Sequence, residues 1–168
     1  MKDIITNQNH LQERDMTEIV QRVKVLLVNS KQEILLGYSH HDYQFPGGHV
    51  EEGESLWETV LREVQEETGI ELKVPEVDAF ARTLGYYKDW PEVGKNRKIE
   101  IYYYEIFTDE KPNLENTSYT EGEQDGKFEL RYIPLQRVEE ELRKNAKEYG
   151  DECGIAREML KLFEIYKS

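Results

Sequence analysis

The chain reads as an α+β fold in which helices flank a mixed β-sheet, and three features point there. Strand-like and helix-like segments interleave along its length, with no internal repeat, low-complexity tract or proline- or serine-rich linker. The segment 98–107 carries bulky groups on both faces, Ile99, Ile101 and Tyr103 opposing Tyr102, Tyr104 and Ile106, which suits an interior strand covered on both sides. Two segments, 56–68 and the last dozen residues, repeat apolar side chains at helical spacing. One globular domain over residues 1–168 is expected.

Taken in order, residues 1–17 show no usable periodicity and stay unassigned. Residues 19–28 alternate as a strand with Val23, Val25 and Leu27 on one face, and 34–37 return beside it after a polar turn at 29–32. Tyr43 and Phe45 read as core residues leading into a turn at Pro46, Gly47 and Gly48, where missing side chains let the backbone approach a ligand. A helix should start at about Leu56, because Ser55 and Glu58 have the form of a capping box, and end near Thr68, because Gly69 can take the left-handed conformation. Residues 79–87 and 98–107 read as two strands joined by a polar excursion, and 128–133 as another. Leu135, Val138 and Leu142 mark a short helix; Ile155, Met159, Leu162, Phe163 and Tyr166 mark the last one.

The helix at 56–68 carries the chemistry. Glu63, Glu66 and Glu67 stand at i, i+3 and i+4 and fall within an arc of roughly 100°, within reach of a common ion. Like charges so spaced destabilise a helix by a few tenths of a kcal/mol each, so a compensating cation is expected, a divalent metal first among candidates. Leu56, Trp57, Val60, Leu61 and Val64 cover an adjoining arc of about 140°, so one side packs on a core while its edge faces a cleft.

Gly48, Glu54, Arg62, Glu63, Val64, Glu66, Glu67, Gly69 and Ile70 match every fixed position of the signature of the Nudix hydrolase family, spacings included, so the chain resembles the MutT-like pyrophosphohydrolases. The resemblance implies a Nudix-type α/β/α sandwich and hydrolysis of a diphosphate linkage in a nucleoside diphosphate derivative or a modified nucleoside triphosphate, with Mg2+ or Mn2+ as cofactor. It implies Glu66 and Glu67 as metal ligands, Glu63 as a third ligand or the base that deprotonates water, and the Gly48 carbonyl as completing the coordination. Arg62, paired with Glu54, is implied to support catalysis by orienting those glutamates. One further acid usually comes from outside the motif. Glu129, or Glu121 or Glu123 in the loop before it, is the candidate, against the ordinary reading of a solvated surface acid.

Thirty-five acidic against 22 basic residues give a net charge of −13, which argues against duplex nucleic acid as a partner and leaves a small nucleotide bridged by metal as the fitting anion. The lone Cys153, with no N-terminal apolar run and no membrane span, suits a cytoplasmic protein. Among substrate-binding candidates, His49 follows the glycine pair and could meet a phosphate, or remain an exposed loop residue. Tyr86, Tyr87 and Trp90 could stack on a base, or serve core packing or a homodimer contact. Lys88, Lys95, Arg97 and Lys98 concentrate positive charge nearby, either as a phosphate clamp or as a hydrated hairpin. His40 and His41 read as surface residues. The competing function class is a ligand sensor or partner-binding domain on the same fold. Such a domain has no need of three crowded carboxylates.

Overall fold

The two-sided apolar strand lies inside a sheet, as its pattern requires. A computed structural model describes residues 1–119 and 128–168. Among the described residues the strands are β1 Lys2–Thr6, β2 Glu18–Val28, β3 Glu33–Ser39, β4 Asp42–Gln44, β5 Ala81–Tyr87, β6 Arg97–Phe107 and β7 Glu129–Pro134, and the helices are α1 Leu56–Thr68, α2 Val138–Tyr149 and α3 Ile155–Tyr166. The strands form one mixed sheet in the order β1-β5-β6-β2-β3-β4, with β7 pairing β3. β6 runs between antiparallel β5 and parallel β2.

Alternation along β2, β3 and β6 divides the core into two layers. On one face Val23, Val25, Leu27, Leu35, Tyr104 and Ile106 pack against Trp57, Val60 and Val64 of α1. On the other, Leu26, Val28, Ile34, Leu36 and Tyr103 pack with Tyr43 and Phe45 against α2 and α3, through Val138, Leu142, Met159, Leu162 and Phe163. This is the α/β/α sandwich.

The stretch 1–17, without readable periodicity, supplies β1, a parallel partner of β5 at the sheet edge. Only Ile4 of its five residues is even partly buried, so main-chain pairing and the Arg82–Asp3 ion pair at 2.7 Å hold it, and neither leaves an apolar pattern. The short strand β4 was likewise not expected from the sequence. It is carried by three residues, with Tyr43 as its buried anchor.

One irregularity of the sheet creates the functional loop. β2 pairs β3 only at Leu27↔Leu35 and Val28↔Ile34. Upstream, the vacated edge of β2 takes up the loop 46–50: Val25 N–H donates to Pro46 O at 2.8 Å, Val23 N–H to Gly48 O at 3.0 Å, and Val50 N–H to Gln21 O at 3.0 Å. The glycine turn is therefore fixed to the centre of the sheet by main-chain bonds.

Candidate active site

α1 begins and ends by the chemistry its sequence provides. Ser55 Oγ accepts from Glu58 N–H at 3.1 Å, and Glu58 Oε2 accepts from Ser55 N–H at 2.7 Å. Gly69 closes the helix at φ 73°, and its N–H reaches Gln65 O. The caps fix the ends of the helix, and the packing of Trp57, Val60 and Val64 on the sheet fixes its rotation, which turns Glu63 and Glu67 toward the loop at 46–50.

Both glycines of the turn are required by close approach. A side chain at Gly47, whose φ is +141°, would bring Cβ to 2.1 Å from Val23 O; one at Gly48 would meet Glu63 Oε1 at 2.3 Å. The Glu63 carboxylate thus lies directly against Gly48. Glu67 Oε2 accepts from Gly47 N–H at a long 3.4 Å. The Gly48 carbonyl already accepts from Val23 and keeps its second lone pair.

Arg62 organises the acids. Its Nε donates to Glu54 Oε1 at 2.7 Å and its Nη2 to Glu54 Oε2 at 3.0 Å, while Nη1 bridges Glu63 Oε1 at 2.8 Å and Glu66 Oε2 at 3.1 Å. Nη2 also donates to His49 O at 2.9 Å, tying helix to loop. The expectation that a divalent ion offsets the crowded charges is corrected to this extent: a guanidinium of the same helix already offsets two of them. Among the described residues, no three acids stand together as a group that could hold a metal ion. The donor set nevertheless fits one. The acids are hard oxygen donors, Glu63 and Glu67 meet at the glycine turn with Glu66 linked to Glu63 through Arg62, and Glu63 Oε2 and Glu66 Oε1 have no partner among the described residues.

Electrostatics follow the geometry. The Arg62 fork holds the Glu54 carboxyl down at about 2, helped by Glu51 N–H and Thr59 Oγ. Burial pushes Glu63 up, against the pull of Arg62. Lys24, partly buried on β2, donates to Phe45 O at 3.1 Å and Gly47 O at 3.2 Å beneath the turn; burial lowers its pKa, and the charges of Glu67 and Glu63 oppose that shift. Burial, with the nearby Arg22 and Lys24 charges, lowers His49.

The remaining candidates scatter. His49 lies on the loop, its Nε2 accepting from Arg22 Nε at 3.1 Å. Tyr86 donates to Glu13 Oε1 at 2.6 Å and lies beneath Lys98. Trp90, 44% exposed, carries Arg97 over its ring at 4.6 Å. The basic run is largely paired: Lys95 with Glu92, Arg97 with Glu18, and Lys98, itself buried, with Glu13 and Glu100. Glu129, on β7 in register with Tyr38, pairs with Arg131 at 2.9 Å. Glu121 and Glu123 lie outside the described residues. His40 and His41 are exposed at the β3–β4 turn, both with positive φ.

Sequence reasoning missed Arg22 and Lys24. They alternate with Val23 and Val25 on β2, the pattern of a solvated strand face, yet they stand on the α3 face beside Ile101 and Tyr103. It also missed a recess of about 300 Å³ on that face, lined by Ile4, Thr6, Tyr87, Ile99, Ile101 and Glu158 among others.

Comparisons with known proteins bear on the family and the fold. The NUDIX domain model matches residues 19–153. Nudix hydrolase 6 of Arabidopsis thaliana is 58% identical over 38 residues, a match spanning 23% of this chain and only 13% of that protein. Among solved structures, the mutator MutT protein of Bacillus halodurans superimposes with a TM-score of 0.51 at 24% identity, covering 72% of each chain. The Ap4A hydrolase of C. elegans in a binary complex gives 0.51 at 18% identity, covering 88% of this chain and 95% of that one. At such identities the likeness is one of fold. With the motif intact on its loop and helix, and the domain model spanning most of its length, the chain belongs to the Nudix hydrolase family.

Proposed function

We propose that this protein hydrolyses a phosphoanhydride linkage in a nucleoside diphosphate derivative or a modified nucleoside triphosphate, with Mg2+ or Mn2+. The observation that carries the reading is the convergence of Glu63 and Glu67 on the Gly47–Gly48 turn, with Arg62 linking Glu63 to Glu66. Glu63, Glu66, Glu67 and the Gly48 carbonyl would hold the metal, which supplies charge neutralisation for the diphosphate and a lowered pKa for water. Glu63 serves as a third ligand or as the base that takes the water's proton. Arg62 and Glu54 hold the acids in orientation.

The sheet register supports a substrate path. Ile101 in the recess pairs with Arg22, which bridges to His49 beside the glycine turn. Recess and turn are thus about two strand spacings apart, roughly 10 Å. That span suits a diphosphate laid across Arg22 and Lys24, with its organic moiety in the recess and the scissile linkage at the acids. The nucleotide substrate of the Ap4A hydrolase among the fold neighbours fits this class. No helix among the described residues is long and apolar enough to cross a membrane, and the reading takes the substrate as a small molecule.

The test is a panel of nucleoside triphosphates, dinucleoside polyphosphates, nucleotide sugars and dinucleotide cofactors, incubated with magnesium and with products identified by mass. Release of a nucleoside monophosphate from at least one compound is expected. Absence of cleavage across the panel, with magnesium or manganese, overturns the reading.

A further inference from the structure

The recess lies on the α3 face, about 300 Å³ in volume, at the low end of ligand sites and enough for one ring system with its sugar. Ile99 and Ile101 of β6 line it, and Tyr87 contributes an aromatic wall. That wall depends on Gly85: a Cβ there would stand 2.6 Å from the Tyr87 ring, so the ring lies along the strand only because the side chain is absent.

Further walls come from outside the matched domain of 19–153. Ile4 and Thr6 belong to β1, and Glu158 belongs to the first turn of α3. The two segments are tied together, Lys2 Nζ contacting Ser168 Oγ just beyond α3, and β1 is locked to the sheet through Lys2 N–H to Phe80 O at 3.0 Å.

Glu158 is an acceptor in the wall with capacity to spare. Its Oε1 accepts from the Tyr103 hydroxyl, while Oε2 has no partner among the described residues. An ionised carboxylate accepts only. Isoleucines, a tyrosine and the threonines Thr6 and Thr83 wall the recess, with the exposed Arg157 and Lys161 also lining it, and there the unused acceptor of Glu158 favours a ligand edge that brings N–H donors.

We propose that the two segments flanking the Nudix domain, β1 and the start of α3, form the specificity wall of this hydrolase, and that Glu158 selects a nucleobase presenting N–H donors. This rests on the hydrolase reading above. Phosphate recognition and bond cleavage stay with the loop, α1 and Arg22 and Lys24 of β2; choice of base is made by the two flanking segments. Arg157 and Lys161 also line the recess but are exposed, and Arg157 is engaged by Asp151 at 3.2 Å.

The experiment measures binding by the full chain, with calorimetry, of methylene-bridged guanosine and adenosine triphosphate analogues and of tripolyphosphate, which has no ring. The variants are Glu158→Gln, nearly isosteric, and Ile4→Trp, which fills the recess. Each should weaken the better-bound nucleotide by about tenfold or more and leave tripolyphosphate affinity unchanged, because the lost contact is to the base alone. Nucleotide affinity unchanged in Glu158→Gln, or lowered equally for tripolyphosphate, overturns the proposal even if the wild type hydrolyses the parent nucleotides. If instead the wild type binds the analogues, the variants weaken them, and no parent nucleotide is cleaved, the specificity wall stands and the hydrolase reading alone fails.

Discussion

Arg62 grips Glu54 with two parallel hydrogen bonds, Nε to Oε1 at 2.7 Å and Nη2 to Oε2 at 3.0 Å, and its third nitrogen is thereby aimed between Glu63 and Glu66. A planar fork can do this, whereas a lysine ammonium keeps the charge but cannot span three carboxylates in fixed directions. Arg62→Lys should therefore cost about 10- to 100-fold in kcat/KM at saturating magnesium, the usual penalty for losing a residue that orients metal ligands. Wild-type kinetics for this variant would show that the fork is ornamental.

The same pair sets a limit on acid stability. Glu54 ionises at about 2 in the folded chain against an ordinary 4.5, so it binds fewer protons folded than unfolded between those values. Its stabilising contribution is complete above pH 4.5 and is lost as pH falls through about 2. Allowing for the screening of a site 20% exposed, the loss amounts to about 1–2 kcal/mol. Urea titrations of wild type and Glu54→Gln should show a stability gap at pH 6 that narrows below pH 4.5 and closes at about pH 2. A gap independent of pH would assign the effect to packing.

Much of this site was legible beforehand because its determinants are local. Ser55, Glu58 and Gly69 fix the ends of α1 through contacts within a few residues, and the acids follow from helical geometry. The two-sided strand at 98–107 was equally legible, since its middle, 101–104, carries bulky groups on both faces. What the sequence could not show depends on distant partners. β1 is held by pairing with β5, residues some 80 positions away, and carries no apolar rhythm of its own. Arg22 and Lys24 look like the wet side of a strand until the register sets them between a recess and a glycine turn. The role of Arg62 as counter-ion for Glu63 and Glu66 was hidden because an adjacent and an i+4 pairing are each possible, and side-chain directions decide that both occur.

Glu67 offers the sharpest test of the chemistry. Its Oε2 accepts from Gly47 N–H at a long 3.4 Å, at the turn where the metal ligands meet. Glu67→Gln should keep the melting temperature within a few degrees while lowering turnover by several orders of magnitude, roughly 10³-fold or more, because a charged ligand is removed and the shape retained. Hydrolysis near the normal rate in magnesium would remove the acid helix from the mechanism.

Divalent ions should also raise stability in the absence of substrate. A ligand bound only by the folded chain adds about 1.4 kcal/mol at ten times its dissociation constant. For a chain of 168 residues that is a rise in Tm of about 3–5 °C. Calorimetric scans with millimolar magnesium or manganese check this, and the rise should vanish in Glu66→Gln. A rise of the same size in that variant would mean that the ions bind elsewhere on this acidic surface.

Two glycines on either side of the acid helix predict opposite outcomes. At Gly48 an added Cβ would stand 2.3 Å from Glu63 Oε1, the far end of a flexible side chain. Gly48→Ala should therefore fold with little loss of stability, while the displaced carboxylate lowers kcat/KM by about 100-fold or more, the penalty of misplacing a reacting group by an ångström. At Gly69 the backbone is left-handed, φ +73°, and the new Cβ would lie 1.8 Å from the Asn113 carbonyl oxygen, which cannot swing away as a side chain can. Gly69→Ala should destabilise by about 1–3 kcal/mol, more if the 113 loop must move. The molecules that remain folded should retain most of their activity, because the cap lies two residues beyond the last acid. Denaturation curves paired with active-site titration separate the two effects. If Gly48→Ala lost stability and Gly69→Ala lost turnover, the division between the loop that positions chemistry and the cap that ends the helix would have to be reversed.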